Sequence, residues 1–374
     1  MSFREYNFKR NIVRIIGFIL LNACMDRIDF DVPPANVITT IEGMINDGPG
    51  PYAVRVSEGI NLNADSAVER LTVSSAKIRL FDDEGNVEDL TEVSPGEYVT
   101  GGAIRGKVGH SYHIRVEMPG GKVFESEPDV ITPGGNIEAI RFEYDARFLD
   151  EGFGSFPRNV FKIYLDSKVP GGEDAYVRWR FTGTYKVLTY PERHWIWAQG
   201  FVLPDPYPCS GVNYSGPGSD PVRVFDCICC TCWAHQYESE PQLSDGQLVT
   251  NGRFNNIMVG TVPITSATFY DKYMVEIEQM SLSKKSFDFF KLIRAQKEGA
   301  ASLFQPPSGE VKGNIKAITP SSPVVGIFWA TSISSKSIFI KRSDVPFNLI
   351  PIPERYDPCT QYPYATTQQP TNWE

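Results

Sequence analysis

The sequence predicts a mostly β protein with two β-rich domains and one amphipathic helix. Short segments of alternating apolar and polar residues recur through the chain, and alternation of period two is the pattern of half-buried strands. Turn formers separate these segments, and the chain holds 31 Gly and 28 Pro. With 374 residues, of which 41% are hydrophobic, the chain is large enough to form two cores.

Residues 1–23 have the layout of a bacterial export signal. Four basic side chains precede an apolar run over residues 15–21, which is too short for a membrane span because a spanning helix needs about 20 residues. The run ends in Leu21-Asn22-Ala23-Cys24, which resembles the lipobox of bacterial lipoproteins. In a lipobox the cysteine thiolate accepts a diacylglyceryl group, and cleavage before the cysteine frees an amine for a further acyl chain. We therefore expect Cys24 to be the lipidated mature N-terminus, with an ordinary signal peptide as the alternative.

A tether and the first domain follow. Residues 24–32 are acidic and aperiodic, which favours a spacer between the membrane and the folded body. Within residues 33–133, six segments have strand character: VITTIEGMI, YAVRVS, AKIRLFDD, GEYVTG, SYHIRVEM and KVFESE. About six or seven strands in roughly 100 residues are typical of an immunoglobulin-like β-sandwich.

The second domain is predicted to cover residues 136–345, after the turn-rich joint ITPGGN. Longer strands are expected in IEAIRFEYDARF, NVFKIYLDS, AYVRWRFTGTYKVL and DKYMVEIEQMSL, and three short ones in EVKGNIKAI, PVVGIFWATS and KSIFIKR. Residues 283–299 predict the helix, with Ser283 as N-cap and Phe287 and Phe290 at helical spacing. Residues 346–374 form a Pro-rich C-terminal tail.

Residues 190–250 form a long irregular stretch that is rich in Pro, Gly and aromatic residues. Loops of this length are usually functional or covalently stapled. Its aromatic side chains are candidates for a partner or ligand surface: Tyr190, Trp195, Trp197, Phe201 and Tyr207. A loop that caps the core is the alternative interpretation.

Six cysteines follow Cys24: Cys209, Cys227, Cys229, Cys230, Cys232 and Cys359. In an exported chain they are expected to form three disulfides, and six cysteines allow fifteen pairings. Strand alternation would point Cys227 and Cys229 away from Cys230 and Cys232, so pairing inside the cluster is disfavoured. Cys209 and Cys359 are then the expected outside partners.

A soft-metal site is the alternative for the same cluster. Cys227, Cys229, Cys230 and Cys232, with His235, would offer thiolates and an imidazole suited to zinc or Cu(I). The spacing lacks the paired C-x-x-C knuckles of structural zinc sites, so we expect no metal. The only non-protein group we expect is the lipid on Cys24.

The remaining polar residues show no recognisable catalytic motif. His110 and His113 fall on opposite faces of a predicted strand, and His194 lies among aromatic residues. Acidic pairs at 82–84 and at 238 and 240 are expected at turns or on the surface, although a glycosidase needs only two carboxylates that are close in space. We therefore expect no enzymatic activity, with a surface hydrolase as a minor alternative.

The charge of the chain disfavours nucleic acid as a partner. The net charge is −9, and without residues 1–23 it would be −12. A body this acidic repels phosphate backbones.

Several segments together resemble one family. They are CMDRIDFDVP, IEGMINDGPGPYAVRVS, Cys232-Trp233, YMVEIEQMSLSKKSFDFFKLIRAQ, GNIKAI with VVGIFWATS, and YATTQQPTNW. They are similar to the domain-of-unknown-function family 4249, lipoproteins of Bacteroidota-type bacteria. The family has no assigned catalytic residues. The resemblance implies an outer-membrane lipoprotein, often encoded beside a TonB-dependent receptor.

Anchor, tether and aromatic loops lead to one functional hypothesis. The protein would be a lipid-anchored accessory subunit of a TonB-dependent transporter that captures ligand or covers the receptor, without chemistry of its own. A stand-alone surface protein that binds metal or glycan is the main alternative. The cell surface is the expected location, and the periplasmic face of the outer membrane remains open.

Overall fold

A computed structural model describes residues 37–59, 70–148, 158–170, 175–198, 200–244, 247–300, 313–320 and 322–373. The predicted export signal, Cys24 and the tether lie outside these residues. Among the described residues, no helix is long and apolar enough to cross a bilayer.

The N-terminal part forms ten strands, close to the predicted segments. They are β1 (Ile38–Asn46), β2 (Ala53–Gly59), β3 (Arg70–Thr72), β4 (Lys77–Asp82), β5 (Val87–Asp89), β6 (Thr91–Ser94), β7 (Glu97–Val99), β8 (Ser111–Glu117), β9 (Val123–Ser126) and β10 (Asp129–Val130).

The remaining elements are fifteen strands and one α-helix. They are β11 (Asn136–Phe148), β12 (Arg158–Lys168), β13 (Val177–Leu188), β14 (Trp195–Ala198), β15 (Phe201–Pro204), β16 (Val212–Asn213), β17 (Val222–Arg223), β18 (Thr231–Tyr237), β19 (Gln242–Ser244), β20 (Arg253–Pro263), β21 (Lys272–Ser281), α1 (Lys284–Ala300), β22 (Ile315–Ala317), β23 (Val324–Thr331), β24 (Ile333–Lys341) and β25 (Ala365–Thr366). The mostly β prediction with one helix is confirmed for the described chain.

The first sandwich is built from two six-stranded sheets. One has the order β23-β1-β2-β7-β6 with β3 on β2, and the other has the order β22-β9-β8-β4-β5 with β10 on β8. Alternate residues of β1, β4 and β8 point into the shared core, as their sequence alternation predicts.

Two strands of this sandwich come from the C-terminal third of the chain, which corrects the predicted boundary between the domains. We expected GNIKAI and VVGIFWATS to belong to the second domain. Instead β22 pairs with β9, and β23 pairs in parallel with β1, so Ile315, Phe328 and Ala330 lie in the first core. Sequence spacing missed this arrangement because alternation identifies a strand but carries no information about its partner.

The second sandwich packs a three-stranded sheet, β11-β12-β20, against a sheet of order β24-β21-β13-β18-β25 with β19 on β13. Its core contains Trp179 and Phe254, whose ring centroids lie 5.0 Å apart in an edge-to-face contact. The stretch 190–250, which we expected to be irregular, contributes β18 and β19 to this sandwich. The Pro-rich tail also joins it, since β25 pairs with β18.

A single residue, Ser332, separates β23 of the first sandwich from β24 of the second. The Ser332 amide donates to Ser281 Oγ at 3.0 Å, and Ser281 Oγ donates to the Thr132 carbonyl at 2.7 Å. The Asp47 carboxylate accepts from the Ile333 amide at 2.9 Å and also from the Ser332 hydroxyl. The chain passes from the first sandwich to the second after Thr132 and again at Ser332. These bonds join the two places into one polar junction.

Helix α1 covers the side of this junction. Ser283 caps it as predicted, with its Oγ accepting from the Ser286 amide at 3.2 Å, and the helix ends one residue beyond the prediction. Phe290 meets Trp329 of β23 edge to face at 5.2 Å. The buried Asp129 carboxylate accepts from Ser286 Oγ at 2.7 Å and from the amide of Ala330 at 3.0 Å. On its other side, Phe287 packs against Tyr176, the residue before β13, with ring centroids 4.9 Å apart, so the helix contacts both sandwiches.

The shared strands predict that the first sandwich does not fold alone. A fragment of residues 37–133 lacks β22 and β23 and should give a collapsed, poorly dispersed amide NMR spectrum. The same fragment joined by a Gly/Ser linker to residues 313–331 should give a dispersed spectrum and a cooperative urea transition. A well-dispersed spectrum from the short fragment would contradict the assignment.

Candidate functional site

The end of the second sandwich that lies away from the junction carries the candidate site. Strand β13 starts at the junction, where Val177 pairs with Ser281, and ends at Leu188, which pairs with Thr231 of β18. Strand β24 likewise runs from Ile333 at the junction away from the first sandwich. The chain segments 189–230 and 342–362 therefore emerge at this far end.

An apolar hairpin projects from this end. Among the described strands, β14 and β15 pair only with each other, and Gly200 in the turn between them has φ of +83°. A left-handed backbone of this kind suits glycine. The exposed fractions are 49% for Trp195, 69% for Trp197 and 69% for Phe201. Ile196, on the opposite face of β14, is also exposed, so neither face of the hairpin is buried in the body.

Further exposed apolar side chains lie on segments that emerge at the same end. We call the whole set the apolar tip: Trp195, Ile196, Trp197, Phe201, Val202, Val222, Val224, Phe225, Ile228, Ile350 and Ile352. Exposed apolar patches on soluble proteins usually mark binding surfaces, and the hairpin alone brings five of these side chains onto one small element. Two Trp and two Phe in this set are residue types that anchor protein interfaces.

Three disulfides fix the segments beneath the apolar tip. The pairs are Cys209–Cys229, Cys227–Cys230 and Cys232–Cys359. Cys209 and Cys359 are the outside partners, as expected. The pair Cys227–Cys230 lies inside the cluster and contradicts the expectation from strand alternation. Strand β18 begins only at Thr231, so the two cysteines occupy a bend in which alternation does not apply.

Backbone hydrogen bonds complete this support. The Cys359 amide donates to the Cys229 carbonyl at 2.9 Å, and the Tyr190 amide donates to the Arg355 carbonyl at 2.8 Å. Gly211 has φ of +74°, and a Cβ there would overlap the Phe225 carbonyl, so the close approach requires glycine. The base of the loop is thus rigid, although its tip is apolar and exposed.

The five predicted aromatic residues divide into two groups. Trp195, Trp197 and Phe201 are at the exposed tip. Tyr190 and Tyr207 are half-buried at the base, where the Tyr207 hydroxyl donates to the Asp357 carboxylate at 3.1 Å. Sequence reasoning missed the aliphatic members at 222–228, because isolated valines and isoleucines in a loop give no period to recognise.

A metal site at the cysteine cluster, the alternative prediction, would require reduction of the disulfides. All four cysteines of the cluster are paired. His235 Nδ1 lies 2.9 Å from Thr184 Oγ1, and burial lowers the pKa of this histidine. Within the described ranges, no three His, Cys, Asp or Glu side chains converge as a metal-binding group.

The acidic pairs serve local structure. Asp82 accepts from the amides of Glu84 and Asn86 at 3.0 and 2.8 Å, which closes the turn between β4 and β5. Glu238 forms an ion pair with Arg178. His110 pairs with Asp83, and His113 stacks on Phe81 with ring centroids 4.7 Å apart, so the two imidazoles have separate partners.

The apolar tip and the N-terminal end of the described chain lie on opposite sides of the junction. Strand β1 begins at Ile38, beside Val324, and reaches the junction at Asn46, beside Thr331. At about 3.3 Å per residue, the nine residues of β1 and the twelve of β13 extend about 30 and 40 Å from the junction. Within the described chain, the apolar tip therefore lies at the end away from Ile38.

A family model described as "Domain of unknown function (DUF4249)" matches residues 26–337, which is most of the chain. No curated protein matches the sequence.

The disulfides predict unequal losses of stability. Closing a loop of 127 residues, as Cys232–Cys359 does, stabilises by roughly 5 kcal/mol in the chain-entropy treatment, and a loop of 3 residues by roughly 2 kcal/mol. The double variant C232A/C359A should therefore unfold at lower urea concentration than C227A/C230A. Peptide mapping without reduction should recover the three pairs, and a different pairing would contradict the geometry.

Proposed function

We propose that this chain, which belongs to the DUF4249 family, acts as a lipid-anchored, non-catalytic accessory subunit of a TonB-dependent transporter in the outer membrane. In this role it binds the receptor through the apolar tip and captures ligand or covers the entrance to the channel. The receptor supplies the channel and the coupling to energy.

The apolar tip is the observation that carries the proposal. A two-stranded hairpin is marginally stable in water, and this one exposes indole and phenyl rings instead of burying them. Burial of apolar area contributes about 25 cal/mol per Å², and each aromatic side chain buries about 150–250 Å². Contact with a partner would stabilise the hairpin by covering these rings.

The rigid base favours recognition of a structured partner. Binding orders side chains and loops at a cost of about 0.5–1.5 kcal/mol for each flexible side chain immobilised. The disulfides and the bond between Tyr190 and Arg355 hold the hairpin base in place before contact. A preorganised surface therefore loses less entropy when the receptor binds.

The anchor and tether suit the same role. Two or three acyl chains at Cys24 give stable membrane attachment, and the tether allows the body to move above the bilayer. The strand directions put the apolar tip at the end away from Ile38, which supports a role in which the tip reaches over the mouth of a neighbouring receptor.

The first test is co-purification. The chain with a C-terminal affinity tag is extracted in mild detergent from cells that express the neighbouring receptor. The receptor should be recovered with the wild-type chain, and the variant W195S/W197S/F201S should recover at least tenfold less. All three side chains are exposed, so the circular dichroism spectrum should not change.

A matched control replaces exposed apolar residues elsewhere. The variant L71S/V87S/V93S alters three exposed positions of the first sandwich and should recover the receptor like the wild type. Equal recovery by the hairpin variant, or recovery of the lipoprotein alone from wild-type cells, would overturn the proposal.

The second test concerns the anchor. The variant C24A should lose incorporation of labelled palmitate and leave the membrane fraction, because no thiolate remains to accept the diacylglyceryl group. C209A, which alters a disulfide cysteine, is the control and should keep the label. Labelled C24A protein in the membrane fraction would contradict lipidation at this residue.

A further inference from the structure

A small pocket lies beside the base of the apolar hairpin. It is formed by the end of β13, the segment after β20 and the tail, and its walls include Val187, Tyr190, Tyr270, Ile352, Arg355 and Tyr362. The Cys232–Cys359 disulfide holds the tail segment against the body. The disulfide thus fixes one of the three elements that form the pocket.

The walls suit a flat ring. Three tyrosines and several aliphatic side chains surround the space, and aromatic rings favour stacked or edge-to-face contacts with another ring. The pocket has a volume of about 130 Å³. The pocket is slightly smaller than the apolar cavity of about 150 Å³ that holds one benzene molecule, so it accommodates at most one six-membered ring.

Arg355 supplies a positive charge at the pocket wall. Its guanidinium lies 4.7 Å from the centroid of the Tyr362 ring. Lys186 and Glu354 also line the pocket. The Glu354 carboxylate is paired with Arg193 at 2.7 Å, and no ion pair neutralises Arg355 among the residues that the structure describes. Five N–H donors in a planar fork match a carboxylate.

The pKa shifts of two neighbouring tyrosines reflect the positive charge of Arg355 at the pocket wall. Burial raises the pKa of Tyr362, and the Arg355 charge partly opposes that shift. Burial also raises the pKa of Tyr185, again opposed by Arg355. The guanidinium therefore acts on two phenols of the second sandwich.

We propose that this pocket binds the aromatic acid group of a small anionic ligand. The ring lies among Tyr190, Tyr270 and Tyr362, and the carboxylate accepts hydrogen bonds from Arg355. Binding of the ring is a property of the pocket alone, whereas a role for the ligand as transported cargo rests on the proposed function.

The test uses benzoate as the probe and the full chain in a mild detergent, with saturation-transfer NMR and calorimetry. Benzoate should bind saturably. Benzamide has the same ring without the charge and should bind about tenfold more weakly, because its hydrogen bond to Arg355 is not strengthened by a negative charge. The variant R355Q should lose at least tenfold in benzoate affinity. R105Q, an exposed arginine of the first sandwich, should keep the wild-type affinity.

Three results would overturn the pocket assignment: no saturable binding of benzoate to the folded wild type, equal binding of benzamide, or unchanged affinity in R355Q. Co-purification of the receptor with R355Q distinguishes a wrong pocket assignment from a wrong proposed function. Recovery of the receptor by R355Q alongside lost benzoate binding supports both. If only the hairpin variant fails to recover the receptor, the benzoate measurements alone decide the pocket assignment.

Discussion

The parallel pairing of β1 with β23 is the constraint on which the rest of the structure depends. It joins residues 39–46 to residues 324–331 and brings Phe328 and Ala330 into the first core. Because β24 follows after Ser332 alone, the same pairing fixes where the second sandwich begins. The two sandwiches are therefore parts of one connected structure, although each has its own core.

The polar junction lies between the two apolar cores and supports this arrangement. Asp47, Asp129 and Ser281 accept from the backbone amides of Ile333, Ala330 and Ser332, where the chain leaves each sheet. A buried carboxylate without partners would cost several kcal/mol, whereas Asp129 accepts two hydrogen bonds. The far end of the second sandwich relies on disulfides instead. There the loops expose apolar side chains and cannot form a core of their own.

Much of the local structure could be predicted from the sequence, and most of the long-range pairing could not. Alternation located β1, β8, β12 and β21 to within two residues, and Ser283 correctly marked the start of the helix. The placement of β22 and β23 and the pair Cys227–Cys230 depend on neighbours that are distant in sequence or on a bend that alternation cannot detect. At the candidate site, the exposed tryptophans could be predicted because the stretch 190–250 is rich in aromatic residues. Arg355 was missed because a single arginine in a Pro-rich tail has no pattern.

The late position of β23 in the chain also sets an order of events during synthesis. Any process that releases the polypeptide from its N-terminus, whether a ribosome or an export channel, delivers β1 long before its partner. The first sheet stays incomplete until about residue 331 has emerged, by which point most of the second sandwich has also been released. Pairings of such high sequence separation form slowly. The first sandwich therefore closes only when nearly all of the chain is on the same side.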